Sequence, residues 1–165
     1  MHISASAALW FLPFVLPICF YVAWSDMRAM RITNYAVMTL FAVFVVVGIV
    51  ALPFDAYLWR FLHLAVALVI GIALNAGGVV GAGDAKFVAA AAPFVPIADL
   101  SRLSIIFAAT LLAAWVTHRA AKHSPIRKMA PEWESWNKAK EFPMGLALGG
   151  ALSIYLVLGA LNGAA

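Results

Sequence analysis

The sequence predicts an all-α, polytopic integral membrane protein with about six transmembrane helices, folded as one domain over residues 1–165. Three observations lead there. Of the 165 residues, 65% are hydrophobic and only 11% are charged, whereas soluble domains carry about 25% charged and 45–50% apolar residues. Mean hydropathy is +0.98. The apolar residues also come in runs near the roughly 20 residues that a spanning helix requires. Six such runs use most of the chain and leave no room for a sizeable soluble domain.

The first run extends over about Ala5–Trp24, with Pro13 and Pro17 expected to kink it. A secretory signal peptide would need a positive n-region, and no Lys or Arg precedes this run, so it reads as a retained span. The second run is about Asn34–Leu52, and the third is about Trp59–Val80. Asn75 in the third reads as an interhelical hydrogen-bond donor. The fourth run is shorter, about Asp84–Ile97, with Pro93 and Pro96 near its far end. The fifth is about Leu103–Val116, with Asp99 as an alternative start, and the sixth is about Pro143–Leu161. Gly145 and Gly149, then Gly159 and Gly163, have the small-xxx-small spacing that lets membrane helices approach closely.

Basic residues orient these spans. Loops after the first, third and fifth runs hold Arg28, Arg31, Lys86, Arg119, Lys122, Arg127, Lys128, Lys138 and Lys140, and the other side holds only Arg60 and Arg102. Nine against two, read by the positive-inside rule, puts both termini outside and the loops bearing Asp26 and Asp84 in the cytoplasm. The net charge of +4 therefore reads as topology and contact with anionic lipid headgroups, not as a nucleic-acid footprint. The long polar stretch, about 118–142, has Pro131 suited to a first helical position, Glu132 and Glu134 to the first turn, and Lys138 and Lys140 to the last. It reads as an interfacial helix with Trp133 and Trp136 on one face.

Chemistry-bearing residues are few. Cys19 is the one cysteine, and His2, His63, His118 and His123 show no paired metal-ligand spacing. No disulfide framework, cysteine zinc site, metal or cofactor is expected. Of seven acids, Asp55 and Asp99 fall in outer loops and Glu132, Glu134 and Glu141 in the polar stretch, where solvation is the simple reading. Asp26 and Asp84 each abut a long apolar run on the same side of the membrane. An ionisable group so placed is costly and marks function by default. The run Gly81-Ala82-Gly83-Asp84 allows either a hydrated pocket edged by a carboxylate or a plain turn with Asp84 as the N-cap of the fourth span. Around Asp26, the plain reading is an interhelix loop in which Thr33 or Asn34 caps the second span.

Taken together, these neighbourhoods resemble the type IV prepilin and preflagellin peptidases, the G-x-G-D intramembrane aspartic peptidases. The matching elements are Asp26; Arg31-Ile32-Thr33-Asn34, similar to the family's Ile-Pro-Asn-like element; Gly81-Ala82-Gly83-Asp84-Ala85-Lys86; and Phe142-Pro143-Met144-Gly145, similar to its late Pro-Tyr-Gly-like element. Thr33 stands where proline is usual and Met144 where an aromatic is usual. The resemblance implies that Asp26 and Asp84 are the catalytic pair, with Gly81, Gly83, Lys86, Asn34, Pro143 and Gly145 as motif or positioning residues. It implies removal of a short leader from prepilins and pilin-like membrane proteins, after a leader glycine, where the leader meets the substrate's apolar helix. The missing cysteine domain resembles the short branch that serves tight-adherence (Flp) pili, which brings no metal. The expected setting is the bacterial inner membrane. Beyond the substrate and the bilayer no partner is implied, and a homo-oligomer is compatible with the pattern. The alternative function is a transporter or channel component that uses Asp26 and Asp84 for ion or proton movement, which places acids nearer the bilayer midplane.

Overall fold

Five of the six apolar runs form single long helices, and those from the first and fifth runs extend well past the runs themselves. The structure, a computed structural model, describes residues 1–138 and 141–164. Its α-helices are α1 (Ala5–Ala29), α2 (Asn34–Ala51), α3 (Phe54–Ala76), α4 (Ala82–Ala91), α5 (Leu100–Lys122) and α6 (Met144–Asn162). Among the described residues five of these, all but α4, are long and apolar enough to cross a membrane. The chain is thus a multi-pass, all-α membrane protein.

Local chemistry sets the ends. Ser4 accepts a hydrogen bond from the Ala7 N–H at the start of α1, and Thr33 accepts one from the Ala36 N–H at the start of α2. Thr33 is therefore the cap of α2, and Asn34 is left free to face elsewhere. α1 runs five residues beyond the apolar run, so its last turn carries Asp26 inside the helix, and it closes at Met30 in the left-handed region with φ 50°. Pro13 and Pro17 lie within α1, which continues past both.

The fourth apolar run is not a single helix. α4 has 10 residues, about 15 Å of rise against a hydrocarbon core of about 30 Å. Pro93 sits in a 3-10 turn over Ala92–Phe94, and Pro96 precedes a second over Ile97–Asp99 that leads directly into α5. A proline removes a helical donor and clashes with the preceding turn, so two of them three residues apart break the segment. The chain nevertheless traverses the bundle here. Asp84 begins the segment at the Asp26 end, and Asp99 ends it beside the N-terminus, where its carboxylate accepts from the His2 and Ile3 N–H groups.

α1 and α6 form the central pair and make the most extensive contact in the molecule. Small residues bring them together, as the spacing suggested. A Cβ on Gly149 would lie 2.7 Å from the Cys19 carbonyl oxygen, and one on Gly159 would lie 2.8 Å from Ile3. α2 packs on α1, α4 packs on α3 and α2, and α5 packs mainly on α6. Phe11, Phe44, Phe94, Tyr57 and Phe61 interlock edge to face or stacked where α1, α2, α3 and the first 3-10 turn meet. Aromatic pairs of this kind add about 0.5–1.5 kcal/mol beyond burial.

Past the end of α5 at Lys122, the stretch expected to carry a surface helix contains 3-10 turns over Pro125–Met129 and Glu134–Trp136 instead, with no α-helix among its described residues there; Ala139 and Lys140, where that helix would end, lie outside them. Trp133 and Trp136 stack with ring centroids 5.7 Å apart. Trp136 also stacks on His118 of α5 at 5.1 Å, and this turn packs on α1. The aromatics fold the loop back against the bundle, a better burial for two tryptophans than a single turn of polar helix offers.

Candidate active site

Four helix ends converge at one end of the bundle: the last turn of α1 and the first turns of α2, α4 and α6. Every residue singled out from the sequence lies on one of them. The convergence follows from topology: two of the three interhelix connections at this end are short, and the third, residues 123–143, folds back against α1 and α5 through its 3-10 turns before α6 begins. Residues 30–33 join α1 to α2, and residues 77–81 join α3 to α4.

Asp26 is 5% exposed. Its Oδ2 accepts a hydrogen bond from the Gly145 N–H at 2.6 Å. Pro143 caps α6 without a side-chain bond, so the first backbone N–H groups of α6 are unclaimed by the helix itself. One of them serves Asp26, and the positive end of the helix favours the carboxylate. Only glycine permits this approach. A Cβ at position 145 would lie 2.9 Å from the Asp26 Cβ and 3.0 Å from Oδ2.

Asp84 is the third residue of α4 and half-buried. It is therefore not the N-cap, a position held by Gly81 with φ −63° and ψ 143°. A carboxylate in a first turn is favoured by the helix dipole. Asp84 lies within electrostatic reach of Asp26, so the two acids share one site. Among the described residues its carboxylate accepts no hydrogen bond, whereas Asp26 accepts that from Gly145 alone.

The two glycines of the motif act through space, not through special backbone angles. Neither has a positive φ; Gly78, in the preceding turn, does, at 72°. A Cβ on Gly81 would lie 2.7 Å from Asp84 Oδ2. A Cβ on Gly83 would lie 3.3 Å from Ile32, in the connection that follows Asp26. Gly83 thus seats the first turn of α4 against residues 30–33, and Gly81 leaves the Asp84 carboxylate free to turn.

Lys86 reaches across to α2, its Nζ donating to Asn34 Oδ1 at 3.1 Å. The pair ties α4 to α2 on the exposed rim. Ser25, beside Asp26, donates to the Arg31 carbonyl at 3.1 Å and braces the same connection. Asp26, Asp84, Gly81, Gly83, Lys86, Asn34, Pro143 and Gly145 are thereby gathered at one end.

Three sequence expectations fail elsewhere. Asp99 is not a solvated loop acid but fully buried. It accepts from the His2 and Ile3 N–H groups, from the Tyr155 hydroxyl at 2.9 Å and from Arg102 at 3.1 Å. Arg60 is likewise buried, inside α3, and donates to the Pro93 carbonyl at 2.8 Å. A charge within a span was the available signal for Arg60, and the i, i+3 spacing of Asp99 and Arg102 was the signal for that pair. Asn75 donates to the Val80 carbonyl at 2.8 Å, so it braces the α3–α4 turn and makes no bond between helices.

The type IV leader peptidase family model matches residues 13–118, well over half the chain and inclusive of both Asp26 and Asp84. The chain belongs to that family, whose members are aspartic peptidases that remove the leader peptide from prepilins. No curated protein and no solved structure matches it.

Proposed function

We propose that, in this leader peptidase, Asp26 and Asp84 are the catalytic pair and that they cut prepilins at the cytoplasmic face of the inner membrane. The observation that carries the reading is the bond from the Gly145 N–H to Asp26 Oδ2. It fixes one carboxylate by a single donor while the other, within electrostatic reach, stays free to rotate.

Two carboxylates so close and so poorly solvated hold one proton between them at lowest energy. The ionised one takes a proton from water as the water oxygen attacks the scissile carbonyl carbon. The protonated one gives its proton to the carbonyl oxygen as the tetrahedral intermediate forms, and collapse of that intermediate passes a proton to the leaving amine. Gly81 keeps space for the movable carboxylate, and Gly83 seats it opposite Asp26. Lys86 and Asn34 hold the rim. Arg28 and Arg31, beside the site, favour the cytoplasmic side, and the same rule puts both termini outside.

The substrate presents a charged leader in water and an apolar helix in lipid, so its scissile bond falls at the depth of this site. The single cysteine, Cys19, fits the branch that serves tight-adherence (Flp) pili. The test is N-terminal sequencing of pilin from cells carrying the wild-type chain or Asp84→Asn. Mature N-termini are expected only with the wild type. Mature pilin from Asp84→Asn cells overturns the assignment.

A further inference from the structure

The helices that bear the candidate site also form the floor of an apolar groove. A cavity of about 530 Å³ lies between α3, α4, α5 and α6. Phe87, Val88 and Ala91 of α4 and Leu148, Ala151 and Leu152 of α6 line its floor. Phe87 is one turn beyond Asp84, and Leu148 is one turn beyond Gly145. The far end reaches Val95 and Leu100, beside Asp99. The groove thus begins one helical turn from Asp84 and Gly145 and runs along the bundle away from the candidate site.

Its walls are α3 and α5, the two least buried of the five long helices. α5 packs on α6, while the α3–α4 hairpin packs on α2 and, through α4, on α6, which leaves the space between α3 and α5 open to the side. Val66 on one wall and Leu100 on the other are each about half exposed, so the mouth faces lipid. His63 and Ser104 are the only polar side chains lining it.

We propose that this groove receives the apolar helix of the prepilin as it leaves the scissile bond; the proposal rests on Asp26 and Asp84 being the cleavage site. Three features select that occupant. The groove begins one helical turn from Asp84 and Gly145, so a chain held in it has one end next to the carboxylates. Its lining is apolar for the whole depth, which suits a segment that never meets water. Alanines at 67, 91, 92 and 151 let a second helix backbone come close, the means by which helices associate in lipid. A helix lying there enters sideways from the bilayer, and its first peptide bonds unwind only at the wet end.

Two synthetic probes test this with the purified full chain in nanodiscs. Both carry one short basic leader ending in glycine. One continues into an apolar helix of about 20 residues, and the other into a short polar tail. Ala67→Trp, which fills the groove from its half-exposed α3 wall, is expected to raise KM for the helical probe by about tenfold while kcat holds, the mark of lost uniform binding. The preference for the helical probe over the polar one, as a kcat/KM ratio, falls by a similar factor. Val46→Trp, on the lipid face of α2, changes neither. A photo-crosslinker at Val66 of the Asp84→Asn chain is expected to capture the helical probe, and one at Val46 is not. An unchanged ratio in Ala67→Trp, or capture of lipid alone at Val66, overturns the groove while Asp84→Asn stays inactive. Cleavage of either probe by Asp84→Asn overturns the carboxylate pair instead. If Ala67→Trp does not fold, the crosslink alone decides.

Discussion

The bundle buries carboxylates at both ends and treats them in opposite ways. Asp99 is enclosed by the backbone N–H groups of His2 and Ile3, the Tyr155 hydroxyl and Arg102. Asp26 has one donor, Gly145, and Asp84 accepts from none among the described residues. A buried charge with all its partners in place is a clasp: it joins the N-terminus, the second 3-10 turn and α6. A carboxylate with lone pairs to spare, next to a second one, has capacity left for a proton, a water and a carbonyl. Burial alone does not distinguish the two ends; the number of donors does.

The contrast is broken most severely by removing charge without changing shape at the sparse end. Asp26→Asn and Asp84→Asn are each expected to reduce prepilin cleavage by about 10³-fold or more, near the upper range for a lost acid–base group. The double variant falls no further, because the pair acts as a unit. Thermal unfolding in detergent should show a Tm for Asp84→Asn no lower than wild type, since among the described residues the Asp84 carboxylate accepts no hydrogen bond that the change would remove.

At the clasp the order reverses. Asp99→Ala strips the partner from several buried donors, and breaking a buried charged network costs about 3–5 kcal/mol. The expected result is a lowered Tm, with residual cleavage tracking the folded fraction at an unchanged KM. A catalytic collapse at wild-type Tm would erase the distinction between the two ends.

Glycine substitutions sharpen the comparison on a smaller scale. Gly145→Ala places a methyl 2.9 Å from the Asp26 Cβ and is expected to lower kcat by about 10²-fold, the scale of a 1 Å misplacement. Gly81→Ala crowds the Asp84 carboxylate at 2.7 Å, whereas Gly83→Ala meets Ile32 at 3.3 Å, so the first is expected to be the more harmful. Since neither position has a positive φ, Gly83→Val should be clearly worse than Gly83→Ala; equal defects would indicate a conformational cause. Lys86→Ala removes one exposed bond to Asn34 and is expected to cost a few-fold at most, in line with the small worth of exposed contacts.

Much of this was legible before any coordinates. Bilayer thickness forces long apolar runs, so α2, expected at about 34–52, runs over Asn34–Ala51, and α6 is displaced by a single residue at each end. Polar ends misled because helices extend past the hydrocarbon: α1 continues through Asp26 to Ala29, and α5 continues to Lys122. The two prolines of the fourth run were visible near its far end, but not the division into α4 and two 3-10 turns that they produce. Asp84 was legible from the glycines before it, whereas its partner in space, Ile32, was not. Local pattern cannot reveal the Asp99 clasp, because its donors His2 and Tyr155 lie 97 and 56 residues away.

The central claim is that the sparsely bonded pair performs the cleavage and the clasp does not. Cleavage of a synthetic prepilin by purified wild-type, Asp84→Asn and Asp99→Asn chains, each with its Tm measured on the same sample, tests it most directly. The expected result is no turnover from Asp84→Asn at a Tm equal to or above wild type, and turnover from Asp99→Asn in proportion to the protein that remains folded. Measurable turnover by folded Asp84→Asn would contradict it.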